Sequence, residues 1–271
     1  MSTIPLCKLQ IDVDTHTHTV LSVHAWSTLK ENAEVAASRG MKKICVSEHG
    51  PALSGSHSAY TIPNAQVLPP SYCGVDLVRS GELDIMNPEG GIDVSHHNLK
   101  ALQFGIASLH RSAIEDGGVE RNTAAYLAVL KDPVIDILGH PDRPAYPCDA
   151  RTVVKAARDA GKLIEINNHS IEHYRDHTDT LELIRLCKEY GERVCVSSDA
   201  HFCGQVGAVD LAMAMLEELD FPRELIVNLR AADFEAYLTG RTARIEAALA
   251  AGVDVYRKDF DIEPIYRYPR P

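Results

Sequence analysis

The sequence lacks any run rich in lysine and arginine, and this absence limits its partners. Its 27 lysine and arginine residues are outnumbered by 38 aspartate and glutamate residues, giving a formal net charge of −11 at pH 7. Nonspecific binding along a nucleic-acid duplex needs clustered basic side chains that neutralise phosphates, so we expect no duplex binding. A small phosphorylated substrate is compatible with this charge, because a bound metal ion could meet the charge of its phosphate.

Long apolar runs are missing as well. No run approaches the roughly 20 residues that a membrane span needs, and residues 1–10 contain no apolar core of a secretory signal. The seven cysteines form no CxxC pair, and an odd number cannot all form disulfides. We therefore predict free, mostly buried thiols in a cytoplasmic protein without membrane association; a cysteine nucleophile is the less favoured alternative.

No internal repeat, low-complexity tract or linker divides the chain, so we predict a single domain over residues 1–271. Seven segments have strand patterns: 11–18, 42–49, 75–83, 104–110, 134–139, 162–168 and 193–201. Helical patterns alternate with most of them: 28–40, 122–130, 149–160, 178–190, 209–219 and 232–238. This alternation predicts a parallel sheet covered by helices. Residues 51–73 lack periodicity and are predicted to form a surface loop with little regular structure.

Two stretches place metal-type ligands side by side at predicted strand ends. His16 and His18 lie at i and i+2 of the first strand, and Asp199 and His201 have the same spacing at the last strand. Successive side chains of a strand point to opposite faces, so the two members of each pair share one face. Imidazole and carboxylate groups together suit zinc, manganese or iron.

Six candidate ligands stand at or just past the ends of six different predicted strands. They are His18, His49, Glu82, His110, His140 and His201. An open sheet brings together only the strands near its switch point, whereas a barrel gathers all its strand ends around one mouth. The predicted fold is therefore an α/β barrel with a metal site at the C-terminal ends of its strands.

A lone histidine at a strand end is more often a hydrogen-bonded structural residue than a ligand. Seven histidines collected in this way favour a metal site, although His24 is the weakest on spacing because it lies beyond the strand. Glu82 alone is equally typical of an exposed strand residue, but a multi-metal site needs carboxylates, and Glu82 could bridge two ions. Asp14 either holds the ring of His16 or makes an ordinary hydrogen bond inside the barrel. The remaining histidines are predicted to be mostly solvated, with His169 near the mouth: His57, His96, His97, His169, His173 and His177.

An ordered set of motifs resembles the PHP family, named for polymerase and histidinol phosphatase. The set comprises His16-x-His18, His24, Glu48-His49-Gly50, Glu82, His110, His140-Pro141 and Asp199-x-His201. The resemblance runs from about residue 11 to residue 238, and it extends to the small stand-alone bacterial phosphatases of the YcdX type. A single HxH motif is weak, whereas nine ligand positions in order are specific. One departure is Glu48, where the family usually has aspartate; this residue neighbours a ligand and is not one.

The resemblance implies a distorted seven-stranded (β/α) barrel that holds three divalent metal ions, zinc first and manganese or iron as alternatives. On the matching positions, the first ion would be held by His16, His18, Glu82 and Asp199. The second would be held by Glu82, as a bridge, with His110 and His140. The third would be held by His24, His49 and His201. The resemblance also suggests a homotrimer.

Clustered divalent ions supply what phosphate-ester hydrolysis requires, because they acidify water and neutralise phosphate oxygens. The predicted function is therefore a phosphatase for a small phosphate monoester, whose identity the sequence leaves open. The predicted catalytic residues are Glu82 as the bridge, and Asp199 or a nearby histidine such as His201 as the proton carrier. Arg111 and Arg143 each follow a ligand closely and are candidate phosphate clamps, with an outward surface role as the alternative.

Two other functions are compatible with a metal site at a barrel mouth. The first is an amidohydrolase-like enzyme that cleaves a C–N or lactone bond. Such sites commonly use a lysine to bridge two metals, and no strand-end lysine fits here. The second is a non-catalytic or exonuclease module of the same family, which the missing polymerase segment and basic groove disfavour.

Overall fold

The computed structural model describes residues 11–53 and 60–259, and these residues form a nearly closed barrel. Seven parallel strands follow one another in the order β1-β2-β4-β5-β6-β7-β8, and β3 pairs antiparallel with β4. The strands are β1 (Val13–Thr17), β2 (Lys43–His49), β3 (Ser71–Tyr72), β4 (Val75–Asp84), β5 (Phe104–Ser108), β6 (Ile137–Leu138), β7 (Leu163–Asn167) and β8 (Val194–Ser197). The predicted α/β barrel is confirmed.

Eight α-helices of the described residues alternate with or follow these strands. They are α1 (Leu29–Ser38), α2 (Thr61–Asn64), α3 (Gly118–Val129), α4 (Ala150–Asp159), α5 (Asn168–His173), α6 (Thr178–Tyr190), α7 (Asp210–Glu218) and α8 (Ala231–Ala250). Helix α1 begins with a capping box: Thr28 accepts from the Glu31 amide, and Glu31 accepts from the Thr28 amide. No helix in the described ranges is long and apolar enough to cross a membrane.

The barrel closes between β1 and β8 without a continuous ladder. At the mouth, the His18 amide donates to the Ala200 carbonyl at 2.9 Å, and Thr17 and Ala200 form a parallel bridge. At the opposite end, the Asn228 side-chain amide donates to the carbonyls of Val13 at 2.7 Å and Val196 at 2.6 Å. Asn228 therefore satisfies backbone groups that the incomplete ladder between β1 and β8 would otherwise leave unpaired.

The barrel interior is layered from apolar at the bottom to polar at the mouth. The bottom layer is a cluster of buried side chains that α8 closes from below: Val13, Cys45, Val78, Phe104, Ile106, Ile137, Leu163, Cys195, Phe234 and Tyr237. Alternation along each strand then places small groups above it, including Ser47, Ser80 and Ser108. Gly139 belongs to this middle layer, because a Cβ atom there would lie 2.1 Å from Ser108 Oγ.

Three sequence predictions differ from the structure. Residues 60–73 of the predicted loop contain α2, a 3-10 helix at Ala65–Val67 and β3, while residues 54–59 lie outside the described part. Helix α8 continues to Ala250, well beyond the predicted 238. His96 was predicted to be solvated, yet it is 1% exposed and its two ring nitrogens contact the carboxylates of Asp132 and Asp259. Partners that lie far away in sequence decided each of these outcomes.

Candidate metal centre

The nine predicted ligands all lie around the barrel mouth. Parallel strands end at the same edge, and the barrel turns that edge into a ring. The ligands come from β1 and its following loop (His16, His18, His24), from the ends of β2 and β4 (His49, Glu82), and from the segments after β5, β6 and β8 (His110, His140, Asp199, His201). Except for His24, His110 and His201, which are partly exposed, these side chains are buried.

Glu82 occupies the middle of this ring. Its Oε2 atom lies 3.2 Å from His16 Nε2 and 3.0 Å from His49 Nδ1. Its Oε1 atom lies 2.9 Å from His140 Nε2 and 3.4 Å from His110 Nε2. Because the two oxygens face different sets of imidazoles, this carboxylate could bridge two cations.

Asp199 lies beside Glu82 and joins the two ends of the barrel sheet. Its Oδ1 atom is 3.1 Å from His18 Nε2 and 3.6 Å from His16 Nε2. Its Oδ2 atom accepts hydrogen bonds from Arg143 Nη2 at 3.0 Å and Asn167 Nδ2 at 3.1 Å. One oxygen thus faces the imidazoles, and the other fixes the orientation of the carboxylate.

His24 stands at the outer rim of the centre. Its ring centroid is 4.4 Å from that of His201 and 5.3 Å from that of His49. The preceding residue, Val23, has a φ of +59°, which is strained for a β-branched residue. The loop after β1 therefore adopts a costly conformation that brings His24 to the other histidines.

Three groups of side chains have ligand atoms within 4.8 Å of one another. They are His16, His18 and Asp199; His18, His49 and His201; and His49, Glu82 and His110. Seven of the nine predicted ligands appear in these groups, and His24 and His140 do not. These groups differ in two places from the ligand sets that the family resemblance implies. His18 takes the place of His24 beside His49 and His201, and His49 takes the place of His140 beside Glu82 and His110.

Several buried ligand atoms in this centre have no hydrogen-bond partner among the described residues. They are His16 Nε2, both ring nitrogens of His49, Glu82 Oε2 and His201 Nε2. His49 Nδ1 and Glu82 Oε2 are 3.0 Å apart, but without the alignment of a hydrogen bond. An unsatisfied buried polar group costs about 1–3 kcal/mol, and a bound cation would offset that cost. The residues therefore fit a divalent metal ion.

Hydrogen bonds on the far side of three rings set their tautomers. His16 Nδ1 lies 2.7 Å from Glu165 Oε1, and His110 Nδ1 lies 2.6 Å from Asp84 Oδ1. His201 Nδ1 lies 2.9 Å from the Asp199 carbonyl oxygen. Each partner can only accept, so we assign the proton to Nδ1, and Nε2 is left as the ligand atom.

Two of these supporting acids were missed as such by the sequence analysis. Neither Glu165 nor Asp84 was singled out, although Asp84 lies at i+2 from Glu82 on the same face of β4. Asp14 does not contact the ring of His16. It accepts instead from the amides of Ser198 and Gly207, which is the alternative hydrogen bond considered for it.

The electrostatics of the centre favour ionised acids, neutral imidazoles at His18 and His140, and cationic imidazoles at His16 and His110. Burial lowers the pKa of His16 and His110, but the facing carboxylates outweigh it: they raise the pKa of His16 well above its usual value and that of His110 to about 10. Burial raises the pKa of Glu82 and Asp199, but the surrounding histidines outweigh it and hold both pKa values well below their usual range. Burial, reinforced by neighbouring imidazoles, holds the pKa of His18 well below its usual value. Burial and Arg143 lower the pKa of His140 to about 4. Neutral imidazoles and ionised carboxylates are the forms that bind metal.

Arg143 and Arg111 lie on one side of the centre. Arg143 Nε donates to Ser170 Oγ at 2.8 Å and its Nη2 to Asp199, so its guanidinium is held against the ligands. Arg111 is exposed. Both line a cavity of about 370 Å³ together with Leu109, His110, Ala145, Tyr146, His173 and Tyr174. This cavity is the space beside the centre that a substrate could enter.

The fold and the site define an α/β barrel with a candidate metal centre at its mouth, and comparisons with known sequences agree with this class. The PHP domain family matches residues 14–175, more than half of the chain. A protein named "Probable phosphatase" from Caldanaerobacter subterraneus subsp. tengcongensis is 42% identical over 241 residues, covering 88% of this chain and 95% of its own length. Another of that name, from Acetivibrio thermocellus, is 38% identical over 234 residues, covering 86% of this chain and 97% of its own. This chain belongs to the PHP domain family.

A solved structure shares the fold. Histidinol phosphate phosphatase from Lactococcus lactis, determined with zinc, L-histidinol and phosphate, has a TM-score of 0.55 and 17% sequence identity to this chain. The match covers 78% of this chain and 94% of that protein. At this identity the likeness concerns the barrel alone.

Proposed function

We propose that this protein is a phosphatase that hydrolyses a small phosphate monoester at a centre of three divalent ions. The observation that carries the proposal is the set of buried nitrogen and oxygen atoms around Glu82 that have no hydrogen-bond partner among the described residues, because bound divalent cations would satisfy them together. Membership of the PHP domain family and the two relatives named as phosphatases support the same activity. The enzyme class is hydrolase acting on phosphoric ester bonds.

The proposed ligand sets use the residues of the mouth. His16, His18, Glu82 and Asp199 would hold one ion; Glu82, His110 and His140 a second; and His24, His49 and His201 a third. His18 and His49 lie close enough to two neighbouring sets to belong to either. Zinc is the first candidate, with manganese and iron as alternatives, because imidazole and carboxylate accept all three.

Divalent ions bound here would lower the pKa of bound water toward roughly 7 and would neutralise phosphate oxygens. The protein's own side chains do the rest. Glu165 and Asp84 hold the rings of His16 and His110 in their ligating tautomers. Arg143, already directed at the centre by Ser170, is placed to bind phosphate oxygens.

Proton transfer to the leaving oxygen is assigned to the exposed side of the centre. Asp199 and His201 are the proposed carriers, because His201 is a partly exposed ligand whose Nδ1 atom lies 3.6 Å from Asp199 Oδ1. The leaving group itself would occupy the cavity beside Arg111, where it meets Tyr146, His173 and Tyr174. The homotrimer, the cytoplasmic location and the single domain over residues 1–271 stay predictions.

The proposal is tested by Glu82→Ala, measured against the exposed Glu115→Ala as a matched control. Metal content and release of inorganic phosphate from a panel of phosphate monoesters are measured on both proteins. We expect the Glu82 variant to lose bound metal and phosphatase activity and the control to keep both. Normal turnover by the Glu82 variant would rule out its bridging role.

An amidohydrolase-like function is separated by the same panel. Amides and lactones are assayed beside the phosphate esters with zinc, manganese or iron supplied. A carboxylate, Glu82, occupies the central position in this structure, and this favours phosphate esters. Turnover of amides alone would favour the amidohydrolase-like alternative, and no turnover of any ester would favour a non-catalytic module. A labelled oligonucleotide tests exonuclease activity.

A further inference from the structure

His18 differs from the other supported ligands in the partner of its far nitrogen. Its Nδ1 atom lies 3.1 Å from Ser22 Oγ, whereas His16, His110 and His201 meet oxygens that can only accept. A hydroxyl can donate or accept. Ser22 alone therefore does not determine the tautomer of His18. The tautomer depends on the group that orients the Ser22 hydroxyl.

Glu48 orients it. Ser22 Oγ lies 2.5 Å from Glu48 Oε2, and Thr19 Oγ1 lies 2.5 Å from Glu48 Oε1. The Thr19 amide adds a third donor, 3.3 Å from Oε2. A carboxylate that faces three donors accepts from all of them, so the single hydroxyl hydrogen of Ser22 points to Glu48.

The remaining lone pairs of Ser22 must then accept. One accepts from the His49 amide at 3.1 Å. The other is left for a proton on His18 Nδ1, which makes Nε2 the unprotonated atom. In that tautomer Nε2 is an acceptor that faces two further acceptors, Asp199 Oδ1 at 3.1 Å and Glu82 Oε2 at 3.5 Å. A cation between them would relieve this.

We propose that Glu48 is a positioning residue that, through Ser22, holds His18 in its metal-binding tautomer. The inference rests on the proposed metal centre, but Glu48 itself touches no ion and no substrate. Glu48 is 5% exposed and Ser22 is fully buried, so the contact between them is held inside the protein. The same carboxylate ties together the ends of β1 and β2, because Thr19 follows His18 and Glu48 precedes His49.

The experiment compares Glu48→Gln with Glu48→Asp in the full chain. A glutamine that presents its NH₂ group to Ser22 frees the hydroxyl of Ser22 to donate to His18 Nδ1 and moves the ring proton to Nε2. Aspartate keeps an acceptor-only group and is the residue the resembling family usually has here. Imidazole ¹⁵N chemical shifts of His18 in metal-free protein report the tautomer, and titration with zinc reports affinity.

We expect Glu48→Gln to convert His18 to the Nε2–H tautomer and to weaken zinc binding by about 10–100-fold. Glu48→Asp should keep the wild-type tautomer and most of the affinity. An unchanged tautomer and unchanged zinc affinity in Glu48→Gln would overturn the proposal. If wild-type protein shows the Nδ1–H tautomer but binds no zinc, the proposed function fails while the positioning role stands.

Ser22→Ala keeps the proposal testable if Glu48→Gln does not fold. This variant removes the relay and leaves the carboxylate in place, so zinc affinity should fall by a similar factor. In a double variant, Glu48→Gln should add little to the loss already caused by Ser22→Ala, because both changes break one path. Losses in zinc affinity that multiply would show that Glu48 acts by another route.

Discussion

The two ends of the barrel both bury acids, but they treat them differently. At the bottom, Asp136 accepts from Arg241 Nε at 2.7 Å, from Arg244 Nη2 at 2.6 Å and from the Gly105 amide at 2.9 Å. At the mouth, Glu82 faces imidazoles, and its Oε2 atom has no hydrogen-bond partner among the described residues. Asp136 is fully paired within the protein, whereas Glu82 Oε2 is left free to bind a cation from outside the chain.

This difference indicates that the bottom of the barrel contributes to stability and the mouth to function. A buried charge that is fully paired costs several kcal/mol when one partner is removed. An unsatisfied buried charge lowers stability instead and persists only if a ligand or a mechanism needs it. Substitutions at the bottom should therefore change unfolding, and substitutions at the mouth should change metal binding and turnover.

The largest effect is expected from Asp199→Asn at the mouth. The amide removes the anionic oxygen that faces His16 and His18, so kcat should fall by about a thousandfold or more, equivalent to about 4 kcal/mol. Metal content and steady-state kinetics measure the change. Wild-type metal content and kcat in this variant would contradict the contrast between the two ends.

Asp136→Asn is the matching change at the bottom. It leaves the charges of Arg241 and Arg244 buried without their acid and should lower the unfolding free energy by about 3–5 kcal/mol. Denaturant titration measures this loss. Metal content and kcat of the folded fraction should be unchanged, and reduced metal binding would show that the two ends are coupled.

Removal of metal should lower the stability of the protein, because bound metal ions stabilise the mouth of the barrel. A chelator should abolish phosphatase activity and lower the unfolding free energy by about 3–4 kcal/mol relative to protein with free ion at roughly 100–1,000 times Kd. Thermal unfolding with and without the chelator measures the shift, and readdition of zinc or manganese should restore both properties. An unchanged Tm would argue against metal at this end of the barrel.

Glu192 is a further buried acid, two residues before β8, and it gives a pH-dependent comparison. It is 1% exposed, its Oε1 atom has no hydrogen-bond partner in the described ranges, and burial raises its pKa to about 8. The folded state therefore binds an extra proton between pH 4.5 and about 8, and stability falls as pH rises through this window.

Glu192→Gln should abolish this fall and stabilise the protein at pH 8 by about 1–3 kcal/mol. Denaturant titrations at pH 5 and pH 8 measure the difference, with the exposed Glu182→Gln as the control. Equal pH dependence in wild type and the Glu192 variant would show that Glu192 is ionised in the folded protein.

The smallest effect is expected from Arg111→Ala at the rim of the mouth. The exposed guanidinium lines the cavity beside His110 and should contribute to substrate binding rather than to the chemical step. KM should rise about 5–10-fold, equivalent to about 1 kcal/mol, with kcat little changed. The exposed Arg185→Ala is the control, and a KM equal to that of the control would assign Arg111 to the surface.

Much of the barrel followed from local patterns. The alternation of strand and helix predicted the parallel sheet, and strand-end histidines predicted that a barrel would gather them. Short elements were less predictable: β6 has only two residues in its ladder, and α2 lies within the predicted loop. Their backbone conformation depends on packing against the sheet, which periodicity does not report.

The sequence by itself indicated which side chains would gather at the barrel mouth and in what order they stand, because residue type and i, i+2 spacing are local properties. Tertiary structure alone decided which atoms meet. Glu165 lies 149 residues from His16, and Asp199 lies 181 residues from His18. Closure of the barrel creates these contacts, and with them the tautomers, the grouping of ligands and the link from Glu48 to His18.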